Sequence, residues 1–143
     1  MFELILLTGN GEQYREMVKS IIVPAKSGEI GILKDHHPLV SELSMGSMKI
    51  TKENDKEEIM FIKGGFIEVR DNKVYILADI AERIEEIESL QAAKARDDAK
   101  ELLKTAKDAV EIEQLEEEIK MQMMREKLAG LARFKKDEKH RKI

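Results

Sequence analysis

A β-sandwich of about ten short strands over residues 1–80, followed by a two-helix antiparallel hairpin over residues 81–143, is the fold class that this sequence predicts. Three observations predict it. Five of the six aromatics fall at or before Tyr75. Apolar runs of four to six residues recur between turn signals in the same half: FELILL, SIIV, MKIT, IMFI, FIEV and VYIL. From Ala81 onward there is no proline and one glycine, Gly130, while Ala, Glu, Lys and Leu dominate, which is helix-forming composition.

Taken in order, the runs describe a meander of antiparallel strands. In FIEVRDNKVYIL, Asp71 and Asn72 can adopt the positive φ of a tight hairpin turn. In MKITKENDKEEIMFI the charged centre reads as a solvated loop. Such strands close into a sandwich or barrel because closure hides the edges on which other chains would pair. Beyond residue 80, Ala92, Ala95, Ala99, Leu102 and Ala106 step by 3, 4, 3, 4 and place a small-residue stripe on one helix face. A second helix carries Ile112, Leu115 and Ile119 and then, after a shift of phase, Met124, Leu128 and Leu131. The joint near Thr105 to Asp108 is set by phase alone, since no Gly or Pro marks it. An alanine stripe lets helices approach closely but contributes little apolar area, so the hairpin is expected to open easily.

The bulk numbers bound the function. A chain of 143 residues holds one modest core and an appendage. A charged fraction of 38% with 4% aromatics points to solvated helices. Net charge −4 gives no reason to expect nucleic acid. The absence of cysteine excludes disulfides, thiolate metal sites and cysteine nucleophiles. MFELILL lacks the positive flank and the length of a signal peptide, and no run approaches the roughly 20 apolar residues that cross a bilayer. Membrane contact is expected only through partners.

The stretch PAKSGEIGILKDHHPLVSEL, from Pro24 to Leu43, concentrates the unusual residues. Pro24 has no donor for a ladder and is expected to end the strand SIIV, while Gly28 and Gly31 permit backbone angles closed to other residues. Together they predict an exposed loop. His36 and His37, neighbours on an extended chain, point to opposite faces and cannot share an ion, so no metal is expected. Gly64-Gly65 lacks the Lys-Ser/Thr and the helix of a phosphate loop and reads as a bulge or a close backbone approach. No nucleophile with a base and no pocketed carboxylate pair stands out, so the chain is expected not to be an enzyme.

That stretch, followed by FIKGGFIEV and VYILAD, closely resembles the ε subunit of bacterial F-type ATP synthases. The resemblance covers nearly all of the β half and continues into a tail of the right length. It implies a non-catalytic rotor subunit on the central stalk, beside γ and the c-ring, at the cytoplasmic face of the bacterial membrane. By the same resemblance Glu29 matches a position that meets the c-ring, and Gly31 and His36 belong to the c-ring and γ interface. The family's ATP motif, Ile/Leu-Asp-x-x-Arg-Ala, corresponds to IESLQA: Ile87, Glu88, Gln91 and Ala92, with Glu82 and Arg96 in supporting positions. Glu88 stands for Asp and Gln91 for Arg, which removes a charge and a forked donor suited to phosphate, so weak or absent ATP binding and no resident cofactor are expected.

The family also implies that the hairpin can extend and block ATP hydrolysis. As one helix, residues 87–136 would span roughly 75 Å. Residues Asp108 to Glu118 carry six acids and no base, whereas Ile119 to Ile143 carry nine bases and three acids. Lys120, Arg125, Lys127 and Arg133 are the candidate contacts to acidic segments of the β subunits in the α/β head. Lys135, Lys136, Lys139, Arg141 and Lys142 form a basic end that reads as a frayed, solvated terminus, the alternative being an approach to acidic lipid or protein. A different class of reading remains open at this level: a free-standing sandwich that presents a helical hairpin to a coiled-coil partner.

Overall fold

The computed structural model describes the backbone of residues 1–141 and the side chains of residues 1–135. The chain forms two compact units, Met1–Arg83 and a helical one from Ile84 onward.

The first unit holds nine strands: β1 Phe2–Thr8, β2 Gly11–Ala25, β3 Gly28–Ile32, β4 Leu39–Glu42, β5 Gly46–Lys52, β6 Glu57–Lys63, β7 Phe66–Arg70, β8 Lys73–Leu77 and β9 Ile80–Arg83. They hydrogen-bond in the order β4-β7-β8-β1-β2-β5-β6-β9, with β3 on β2. β1 and β8 run parallel; the other pairs are antiparallel. Alternate residues of the strands point into one core. Phe2, Leu4 and Leu6 of β1 meet Val18 and Ile21 of β2, Met48 and Ile50 of β5, Ile67 of β7 and Ile76 of β8, all buried. At ~25 cal/mol per Å² of apolar surface this layer is the main source of the sandwich's stability.

Both hairpins form where the turn residues predict them. Arg70 pairs with Lys73, and Asp71 and Asn72 take φ of 52° and 56° between them. The charged loop after β5 is closed by the Lys52 N–H donating to the Lys56 carbonyl at 2.8 Å.

Pro24 does not end its strand. β2 runs through it to Ala25, with Pro24 opposite Glu29 of β3. The position asks only for an acceptor, because the Pro24 carbonyl receives the Ser44 N–H at 3.0 Å, and a missing donor costs nothing at a place where none is used.

The sheet also continues beyond residue 80. Ile80-Ala81-Glu82-Arg83 has helix-forming letters, but it pairs with Met60–Lys63 of β6 as an edge strand, so tertiary pairing overrides local propensity. Arg83 fastens that edge. Its Nη1 lies 3.4 Å from Glu58 Oε1, and its guanidinium stands 6.0 Å from the centroid of the Tyr14 ring. Lys52 Nζ completes the cluster, 3.3 Å from Glu58 Oε2. Burial first, and then Glu16 and Glu58, push the Tyr14 phenol well above its ordinary range, so it stays neutral.

In the helical unit a short 3-10 helix, Ile84–Glu86, precedes α1, Ser89–Thr105, and α2, Ala109–Arg141. The stripe on α1 is real at Ala92 and Ala99, which are buried, but Leu102 is 57% exposed and Leu103 takes its place. A step of four from Ala99 keeps the row on the contact side, where the step of three leads out to solvent. On α2 the expected second row is met at Met124, half-buried, and Leu128, buried, but it widens the contact face and does not replace the first row. Ile112, Leu115, Ile119, Gln122, Glu126 and Ala129 form one row in steps of 3, 4, 3, 4, 3, all buried or half-buried. Two polar residues in that row disguise its continuity. Leu131 of the expected row is left at the surface. Among the described residues no helix is long and apolar enough to cross a membrane.

Gly64 and Gly65, at φ 69° and 90°, realise the close approach. A Cβ on Gly65 would stand 1.7 Å from the Leu77 carbonyl oxygen, and one on Gly64 would stand 2.2 Å from Asp79 Oδ2. Because the first obstacle is backbone, Gly65→Ala is expected to destabilise the sandwich by at least ~2 kcal/mol. Urea unfolding followed through the β signal of the full chain checks this; a loss below half that value would contradict it.

Candidate docking surface and helical hairpin

β3 hangs on the second half of β2, from Ile21 opposite Ile32 to Ala25 opposite Gly28. Its residues alternate, and Ile32 points into the core while Glu29 and Gly31 are exposed. Gly28 has the positive φ of a turn glycine, 116°, but Gly31 does not: it sits in ordinary extended backbone, and a Cβ there would meet nothing within 4 Å. The reading of Gly31 as a conformational glycine is therefore corrected. Its own fold makes no demand for glycine.

The segment after β3 turns at Asp35, with φ 57°. His36 is half-buried and its Nδ1 lies 2.7 Å from the His37 carbonyl oxygen, which can only accept, so this nitrogen carries the proton. His37 is exposed. Among the described residues no group of three or more His, Cys, Asp or Glu is arranged to hold a metal.

The six residues that the resemblance assigns to a degenerate ATP motif are divided between the two units. Glu82 lies in β9, opposite Phe61. Ile87 and Ala92 are buried and serve packing. Glu88 precedes α1 in the capping position, yet its side chain makes no capping hydrogen bond. Gln91 is exposed. Arg96 donates through Nε to Asp97 Oδ1 at 3.1 Å and through Nη1 to Glu126 of α2. Asp97 first, and Glu126 with it, raise the Arg96 pKa further, which keeps the guanidinium charged. The Arg96–Glu126 pair ties the two helices across their seam.

The polar part of that seam is hydrogen-bonded throughout. Gln122 is only 5% exposed; its Nε2 donates to Glu118 Oε1 at 2.8 Å, and its Oε1 accepts from Arg125 Nη1 at 2.8 Å. Of the candidate basic contacts, Lys120 and Lys127 are exposed and, seven residues apart, share one line along α2. Arg125 lies roughly 140° around the helix from Lys120 and is half-buried; Arg133 is exposed on yet another side. The four do not form a single patch. Lys135 is half-buried, and the side chains of Lys136, Lys139, Arg141 and Lys142 lie outside the described residues.

Sequence reasoning missed the signal at the joint between the helices. α1 stops at Ala106, which is extended at ψ 135°, and Asp108 Oδ1 accepts the Val110 N–H at 3.0 Å. Asp108-Ala-Val-Glu111 is an N-cap with an acid three residues on, a start signal worth about 1 kcal/mol. The stop is thus an aspartate cap, with no need for glycine or proline.

A nine-stranded sandwich followed by a two-helix hairpin is the class of fold that these elements define. Residues 1–84 match the family described as the ATP synthase Delta/Epsilon chain, beta-sandwich domain. The ATP synthase epsilon chain of Dichelobacter nodosus is 36% identical over 124 residues, covering 85% of both chains. That of Bordetella parapertussis is 39% identical over 103 residues, covering 72% of this chain and 74% of the relative. A chain in the solved OSCP/F1/c-ring assembly of Euglena gracilis mitochondrial ATP synthase superposes with TM-score 0.73 at 28% identity, covering 90% of this chain and 79% of that one. A chain of the Tetrahymena thermophila mitochondrial central stalk and c-ring shares the fold, with TM-score 0.64 at 16% identity, covering 89% of this chain and 95% of that one. This chain belongs to the ATP synthase epsilon chain family, a non-catalytic stalk subunit, and its partners lie within the ATP synthase.

Proposed function

We propose that the sandwich docks on the rotor through β3 and the loop after it, with Glu29, Gly31 and His36 meeting the c-ring and γ, on the cytoplasmic face of the bacterial membrane. The observation that carries this reading is Gly31: an exposed strand glycine whose φ is ordinary and whose missing side chain leaves open space. A partner backbone that must come close supplies the reason the chain itself does not.

The helical unit acts as a brake on ATP hydrolysis by straightening toward the α/β head. Its support lies in the joint and the seam. Straightening converts residues 106–108 to helix, gives up the Asp108 cap and parts Arg96 from Glu126, and neither a proline nor a glycine stands in the way. Lys120 and Lys127, on one exposed line, are the pair best placed to meet an acidic segment of a β subunit together, with Arg125 and Arg133 on other sides of the helix. ATP binds the hairpin weakly or not at all. Gln91 offers no charge, and the guanidinium of Arg96 already serves two carboxylates, which would also repel a phosphate.

Gly31→Ala is expected to leave stability within ~0.5 kcal/mol, because the added methyl is solvent-exposed. It should nonetheless raise the concentration of this subunit needed to saturate a depleted complex; unaltered assembly would remove the docking role. Deleting everything after Glu86 should increase ATP hydrolysis by the assembled enzyme, and an unchanged rate would end the brake reading alone. Calorimetry of the isolated chain should find no micromolar site for ATP, and a micromolar one would refute the weak-binding reading.

A further inference from the structure

The turn between β7 and β8 needs two residues that tolerate positive φ, and Asp71 and Asn72 supply them. Glycine or aspartate would meet that backbone requirement in place of Asn72. The side chain of Asn72, however, does more than the turn asks. Its Oδ1 accepts the Asp35 N–H at 2.8 Å, and its Nδ2 donates to the Met1 carbonyl at 3.0 Å. The chemistry of the partners fixes the orientation of the amide, since a flip would set donor against donor and acceptor against acceptor. The Asn72 carbonyl also accepts the Glu3 N–H at 3.4 Å. One residue therefore joins the start of β1, the β7–β8 turn and the loop 33–38, segments 37 and 71 residues apart from it.

What it holds is itself in a demanding conformation. Asp35, at φ 57°, occupies the left-handed region that side chains with a Cβ disfavour. The bond to Asn72 holds the amide of this residue immediately before His36. The bond from His36 to the His37 carbonyl acts inside the loop and cannot set the loop's place on the sandwich. Pro38 then keeps His37 extended.

We propose that Asn72 is a positioning residue: it fixes the loop 33–38, and with it His36, in the arrangement that meets the rotor partner. The inference rests on the docking reading of His36 given above and adds to it the residue that presents the loop.

The test compares two substitutions in the full chain. Asn72→Gly keeps the turn and deletes both side-chain bonds. Asn72→Asp keeps an oxygen for the Asp35 N–H and loses the donor to Met1. Position 72 is remote in sequence from Asp35, so the intrinsic exchange rate of that amide is the same in all three proteins. In Asn72→Gly, hydrogen exchange at Asp35 should accelerate about 3- to 10-fold, the scale of one partly exposed hydrogen bond. The concentration that half-saturates an ATP synthase depleted of this subunit should rise about threefold or more. Asn72→Asp sets an acceptor against the Met1 carbonyl but keeps one for the Asp35 N–H, so it should fall between the parent and Asn72→Gly in both, a partial rescue that a role limited to general stability does not anticipate. Unchanged exchange at Asp35 in Asn72→Gly overturns the proposal. So does faster exchange with undiminished assembly when His36→Ala does weaken assembly. If neither Asn72→Gly nor His36→Ala affects assembly, the docking reading of the loop falls, and the proposal with it.

Discussion

The sandwich depends on one strand. β2 is fifteen residues long and is hydrogen-bonded to β1 along its first half, to β3 along its last five residues and to β5 in between. A strand that serves three neighbours has to bend, and the register shifts where it must, between Val18 and Ser20 against β5 and between Leu6 and Leu7 on the β1 side. Such bulges increase local twist and let one strand pass between layers. Everything docked on the far half inherits its position from that bend. β3 leaves the main hydrogen-bonded path there, so its outward residues, Glu29 and Gly31, face away from the core that Ile32 enters.

Backbone constraint does the same work elsewhere in this unit. The N–H of Leu43 donates to the Gly65 carbonyl at 2.9 Å, and that of Asp79 donates to the Lys63 carbonyl at 3.1 Å. The glycine pair is thus flanked by the segments that leave β4 and β8, and only residues without a Cβ let them pass at this distance. Positive φ at Asp35, Asp71 and Asn72 is tolerated because Asp and Asn are the side chains that bear it best. The geometry of the loop 33–38 and of its neighbours is therefore decided by a few backbone-limited positions, while the hydrophobic core supplies the energy to hold them.

The sequence made the sandwich legible because period-two burial and turn chemistry agree in it, as at Arg70-Asp71-Asn72-Lys73, where both specify the same hairpin. It misled where composition and context disagree. Ile80 to Arg83 reads as helix and pairs as a strand, and Pro24 reads as a terminus and sits inside one, because in both cases the deciding partner is distant in sequence. The helical seam was partly hidden since Gln122 and Glu126 interrupt an apolar row, and only their hydrogen-bond partners, Glu118, Arg125 and Arg96, show that burial is affordable there. Asn72 was legible as a turn residue. Its second task was not, for no spacing rule links position 72 to positions 1 and 35.

The seam also sets how readily the proposed straightening can occur. On α1 the buried residues are Ala92 and Ala99, whose side chains bring little apolar area out of water. The Arg96–Glu126 pair is partly solvated on both sides, 24% and 33% exposed, and pairs of that kind contribute ~1 kcal/mol or less. The Asp108 cap adds a similar amount. Against these stand the helical hydrogen bonds that residues 106–108 gain when the helix becomes continuous. An aspartate inside a helix costs at most ~0.7 kcal/mol relative to alanine, whereas a proline would cost ~3. A joint capped by aspartate is therefore a stop that the chain can pass in either direction. Met121 and Leu128 of α2 are buried as well, at ~1.5–3 kcal/mol each, so the proposed straightening needs a partner that binds the extended state better than the folded one.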